Sequence, residues 1–183
     1  MSVSVTATWD QSGLAALKPG PLKRAVVKAL RKAGATALRD MRSEANKRIR
    51  ARKRIKPKYI SRAITLRRAK GSSIATMEWA VNVSGEPVPL VAYPARQTRK
   101  GVTVEVNRGK RTLIPGAFIA TMKSGHVGVF KRRGPERLPI DELRGSRPVD
   151  ALLHKGEAQG VADRGGKSFA ATFTRLLPLE MGK

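Results

Sequence analysis

The chain has 183 residues, with 38 Lys and Arg against 13 Asp and Glu, a formal net charge of +25. It has no cysteine, which excludes disulfide staples, thiolate metal sites and a cysteine nucleophile. Its 40% hydrophobic content can build a core, but with only 4% aromatic residues that core must rest on aliphatic side chains.

The N-terminus lacks the basic start and apolar middle of a secretory signal. No run reaches the roughly eighteen apolar residues of a membrane helix. The expectation is a soluble protein made and used in the cytoplasm, or assembled there, and without contact to a membrane. Val3, Val5, Ala7 and Trp9 alternate with polar residues, which predicts a short strand. Pro21 suits the first position of a helix, where a missing N–H costs nothing. Leu22, Val26, Ala29, Leu30, Ala33, Ala37, Met41 and Ala45 follow at spacings of three and four, which predicts an amphipathic helix. Gly34 weakens it by roughly 1 kcal/mol relative to Ala. Carried to Ile49, such a helix is on the order of 40 Å long.

Residues 47–58 then hold eight basic side chains in twelve, and residues 42–70 contain a single acid, Glu44. Pro57 interrupts the helix. Tyr59, Ile60, Ala63 and Ile64 suggest a short second helix that Gly71 stops. The segment from about 47 to 70 reads as an extended basic arm.

After Gly71 the period changes to two. Ala75, Met77, Trp79, Val81 and Val83 share one face, and Val102, Val104 and Val106 share another. Asn107-Arg108-Gly109-Lys110 is a reversal. The proline-punctuated stretch 85–97 is an edge or a loop. Phe118 to Met122 and Val127 to Arg132 form a hairpin about a Lys123-Ser124-Gly125-His126 turn, and the sheet spans about 72–132. Leu138-Pro139-Ile140 is too constrained by proline to be central in a sheet. Pro148 and Asp150 belong in the first turn of a last helix over about 147–180, which its glycines weaken or break near Gly165. The order of helices, strands and a helix predicts an α+β fold. The expectation is one domain over 1–183, with a long N-terminal and a C-terminal helix packed on a mainly antiparallel sheet.

Little here suggests enzyme chemistry. The two histidines, His126 and His154, lie in different elements. Asp141 and Glu142 could in principle hold a divalent ion, and with His126 they are the only candidates for a metal nuclease. They read first as a solvated turn offsetting Arg137 and Arg144. No phosphate-cradling glycine loop is present. The sequence therefore predicts no cofactor, no metal and no enzyme. The basic run is a different matter, because so many cations with one acid leave no local partner. Lys47, Arg48, Arg50, Arg52, Lys53, Arg54, Lys56 and Lys58, with Arg67 and Arg68, are candidates to contact a polyanion or an acidic protein surface. Tyr59 is the one aromatic among them, so DNA would be held through phosphates rather than read by sequence.

Residues Asn107 to Val149, "NRGKRTLIPGAFIATMKSGHVGVFKRRGPERLPIDELRGSRPV", resemble the bacteriophage and prophage minor tail protein Z family. The likeness rests on an ordered set: a basic segment running into a strand, Ile114 to Ile119, the Met122 to His126 turn, the Gly128 to Arg132 return strand, and Arg137 to Ile140. One departure is Leu143-Arg144-Gly145-Ser146, where the family pattern often has an aromatic after the leucine and then Gly-Pro-Ser. The resemblance implies a non-enzymatic virion protein that completes the head-proximal end of a long non-contractile tail. It implies an α+β homo-oligomer, most often a ring of six. The implied partners are the tail tube protein and the tail terminator or neck proteins, with the phage DNA end close by. Phe118, Ile119, Met122, His126, Val129, Phe130, Leu138 and Ile140 would then contact neighbouring subunits or the tail. A free nucleic-acid-binding protein and a metal nuclease are the competing readings.

Overall fold

In the computed structural model, residues 2–6, 18–68 and 77–182 are described. Ala7, Trp9, Gly71 and Ala75, on which some expectations rest, lie outside them. The fold is α+β. The helices are α1 (Pro21–Arg52), α2 (Pro57–Ala63) and α3 (Glu157–Met181). The strands are β1 (Val3–Thr6), β2 (Ile64–Arg67), β3 (Ala80–Val83), β4 (Ala95–Thr98), β5 (Gly101–Asn107), β6 (Lys110–Pro115), β7 (Ala117–Thr121), β8 (Val127–Arg132) and β9 (Ile140–Glu142). They form three antiparallel sheets, β1-β3-β2, β4-β5-β6 and β7-β8-β9, where the sequence suggested one. The chain divides into two compact units, and α1 contributes residues 21–46 to one and 47–52 to the other.

The first unit holds most of α1, the sheet β1-β3-β2 and α3. The predicted stripe on α1 is its dry face: Val26, Ala29, Leu30, Ala33, Ala37, Met41 and Ala45 are all buried. Leu22 departs from it and stays exposed. Met77, Trp79, Val81 and Val83 are buried together, as their alternation requires. Gly34 has a role that propensity does not suggest. A Cβ built there would lie 2.1 Å from Cε2 of Trp79, so the missing side chain is what admits the indole. Trp79 in turn meets Phe169 of α3, with ring centroids 5.9 Å apart.

The last helix begins later than expected. Pro148 and Asp150 form a separate 3-10 turn, Pro148–Ala151, in which Asp150 accepts the backbone N–H of Arg147 at 3.0 Å. α3 itself starts after Gly156 and runs unbroken through Gly165 and Gly166. Val161, Gly165 and Phe169 are buried at intervals of four, so packing overrides the weak propensity of the glycines. Its end is tied down by a near-buried carboxylate. Glu180, with a side chain 4% exposed, meets the ammonium groups of Lys28 at 2.7 Å and Lys32 at 2.6 Å. Hydrogen bonds from those two lysines hold its pKa down to about 2.

The second unit contains β4 to β9, α2 and the end of α1. The β7–β8 hairpin forms where the sequence placed it, with Phe118 opposite Phe130 and Ile119 opposite Val129. Gly125, at φ 78°, makes its turn in a conformation that favours glycine. β9 pairs only with β8, consistent with a proline-flanked strand at an edge. The stretch after Ser84 becomes a 3-10 turn, Leu90–Ala92, followed by the edge strand β4. Tyr93 is buried, donates its hydroxyl to the Ser146 carbonyl at 2.6 Å, and has its pKa pushed up to about 12 by desolvation.

Candidate polyanion-binding surface

The basic segment is not an extended arm over its described residues. Residues 47–52 complete α1, where cations are favoured by the negative end of the helix dipole. Ile49 continues the buried stripe, and Lys47 and Arg50 face solvent while Arg48 is half-buried. α2 and β2 take up residues 57–67.

Between α1 and α2 the backbone is bound to the β5–β6 hairpin. Lys53 forms an antiparallel bridge with Asn107. Arg54 donates its N–H to the Val106 carbonyl at 3.1 Å, and Arg108 donates its N–H to the Arg52 carbonyl at 3.0 Å. The Arg108 guanidinium also donates from Nε to the Arg50 carbonyl. Further along, Lys56 bonds twice to the 3-10 turn, from its N–H to Ala92 and from Nζ to Val91, both at 2.8 Å.

These bonds bring together cations from two distant stretches of sequence. Glu105, 14% exposed, lies between Arg54 at 3.8 Å and Arg111 at 3.6 Å. Arg50 and Arg108 adjoin the same junction, and Lys110 is the next exposed cation on the hairpin. One carboxylate cannot neutralise this group, so the local surface is strongly positive. Such a surface suits phosphates or carboxylates, and the flat guanidinium groups can engage either through two hydrogen bonds at once.

The predicted contact residues divide on this geometry. Arg50, Arg54, Lys56, Lys58, Lys47 and Arg52 are exposed. Lys53 does not face outward. It is 9% exposed, its ammonium donates to Asn107 Oδ1 at 2.7 Å, and burial lowers its pKa. Arg67 and Arg68 are exposed and lie in the first unit. Arg108, Lys110 and Arg111 are additions. Their signal was the basic Arg108-Gly109-Lys110-Arg111 run, which the strand pattern explained as a turn.

The hairpin residues divide in the same way. Leu138 is 67% exposed, and His126 is also exposed. Phe118, Ile119, Met122 and Ile140 are half-buried. Val129 and Phe130 are buried, which removes them from any outer contact face, because β8 is central in its sheet. The guanidinium of Arg132 lies 5.6 Å from the Phe118 ring centre.

The carboxylates that could have formed a metal site are each engaged by a cation or an imidazole. Arg133 grips Asp141 through two hydrogen bonds of 2.7 Å and lowers its pKa. Glu142 meets His126 Nε2 at 2.8 Å. Among the described residues, no three metal-ligating side chains cluster, and no helix is long and apolar enough to cross a membrane.

No curated protein and no solved structure matches the chain. The family model of prophage minor tail protein Z matches residues 12–161, a span that includes the hairpin motif and all of the basic surface. With most of its length so matched, the chain belongs to the prophage minor tail protein Z family of structural phage tail proteins.

Proposed function

We propose that this protein completes the head-proximal end of a long non-contractile tail as a ring of six copies at the tail–neck junction. There it joins tail to head and lines the route of the DNA. The family membership supports a tail component. The observation that carries the finer reading is that Arg54 and Arg111 share one carboxylate, Glu105, while Arg108, bonded to the Arg50 backbone carbonyl, and the exposed Arg50 add further cations at the same junction. A surface so positive is suited to a polyanion, and the tail entrance is where a phage DNA end arrives. Contacts of this kind act through phosphate and carry no sequence preference.

The role is structural rather than enzymatic. Asp141 is ion-paired with Arg133 and Glu142 is hydrogen-bonded to His126, contacts that tie β9 to the β7–β8 hairpin. Plasmid nicking with Mg²⁺ or Mn²⁺ that disappears in Asp141→Ala would overturn this part.

Electron microscopy of particles assembled without the protein tests the whole reading. Filled heads beside complete, unattached tails are the expected result. Normal infectious virions would refute it.

A further inference from the structure

Strand β6 has an open edge. In the order β4-β5-β6 it pairs with β5 on one side only. Among the described residues, no backbone group outside the sheet and no side chain hydrogen-bonds its outer edge. Its side chains are also unusually bare: all of its residues are exposed except Ile114, which is half-buried. Two other edges carry a capping bond. The Ile119 N–H of β7 donates to the Gln97 side chain at 2.8 Å, and the Leu143 carbonyl just after β9 accepts from Leu90 N–H at 2.9 Å.

We propose that the outer edge of β6 is a docking site for an extended acidic segment of another protein, which adds to the sheet as a fourth strand. An edge offers N–H and C=O groups in alternation, and a polypeptide can match that series while a phosphodiester chain cannot. The cations Arg108, Lys110 and Arg111 are shared with the phosphate-suited surface, so it is the backbone edge that distinguishes a polypeptide from a nucleic acid here.

Charge identifies the partner. Lys110 and Arg111 begin the strand, and Arg108 precedes them in the turn. Leu113, 39% exposed, and Ile114 follow. The matching segment has carboxylates opposite the basic half and aliphatic side chains opposite the other. A second copy of this chain is a poor match. Its other outer strands offer no unpaired acid: β1 and β7 are uncharged, β2 and β4 carry Arg67 and Arg96, and the two acids of β9 are already held by Arg133 and His126. Lys and Pro on an edge also discourage like edges from pairing. Lys110, Arg111 and Pro115 serve that purpose against basic copies while attracting an acidic strand. The inference rests on the edge alone and stands or falls apart from the ring at the neck.

The test uses the full chain and two synthetic peptides, one alternating Glu and Val and the other alternating Lys and Val. The Glu–Val peptide is also made with alternate backbone nitrogens methylated, in each of the two frames. The Glu–Val peptide is expected to bind at least about tenfold more tightly than the Lys–Val peptide. Methylation in one frame should abolish binding while the other frame is tolerated. Amides of residues 110–115 should gain hydrogen-exchange protection on binding. Replacing Lys110 and Arg111 together by Glu should reverse the peptide preference. Equal binding of both methylated peptides would reduce the attraction to charge and defeat the proposal. So would protection of these amides that rises with protein concentration alone, which would assign the edge to a second copy. Duplex DNA that displaces the peptide and protects the same amides would assign it to nucleic acid and would also defeat the proposal.

Discussion

The Lys53 ammonium donates a 2.7 Å hydrogen bond to the side-chain carbonyl of Asn107, a residue 54 positions away. This bond, with the backbone bridge between the same two residues, fastens the basic segment to the β5–β6 hairpin. It accounts for the one lysine in that run that is nearly buried.

Asn107→Ala leaves that ammonium without its acceptor. The expected cost is roughly 1.5–3 kcal/mol, the usual range for a hydrogen bond to a charged group. Urea unfolding would measure it. Lys53→Met together with Asn107→Ala should recover much of the loss, because the uncompensated charge is then gone.

Gly34→Ala should destabilise the protein, although Ala is the better helix former by about 1 kcal/mol. The added methyl would fall 2.1 Å from the Trp79 ring. Overpacking of that kind costs roughly 1–3 kcal/mol, so the net effect opposes the propensity. Thermal unfolding of the variant checks the sign. A rise in Tm would show that the indole moves aside freely.

Glu180 gives an acid-side dependence. Its pKa is depressed to about 2 in the folded chain, from an ordinary glutamate value of 4.5. A depressed carboxylate stabilises the fold above its unfolded pKa, and that contribution is lost as pH falls from 4.5 toward about 2. Glu180→Gln should lower Tm at neutral pH and flatten its fall across this window. Both lysines are at least half exposed, so added salt should shrink the effect.

DNA binding should report the same geometry. Replacing Arg50, Arg54 and Arg108 together by Gln is expected to flatten the dependence of log K on log salt by roughly one unit per lost phosphate contact. Lys53→Gln should leave that slope unchanged, because its ammonium is directed to Asn107. An unchanged slope in the triple variant would assign this surface to an acidic protein.

The burial pattern of the long helix, the shared face of Met77, Trp79, Val81 and Val83, and the β7–β8 hairpin were all legible from spacing. Each reports which side of a local element is dry, and nearby residues suffice to encode that. The family likeness was legible too, through an ordered motif in one continuous stretch. Other features join residues far apart in sequence, where no period exists to reveal them. Only the tertiary structure decided that Gly34 admits Trp79, and that α3 persists through Gly165 because it is packed. It also decided that the supposed arm is bound to a hairpin. That contact turned Lys53 inward and placed Arg108 and Arg111 beside Arg50 and Arg54. The sequence established that positive charge is concentrated, because residues 47–58 hold eight cations and residues 42–70 a single acid. Where that charge is displayed depended on hydrogen bonds between distant strands, which composition does not contain.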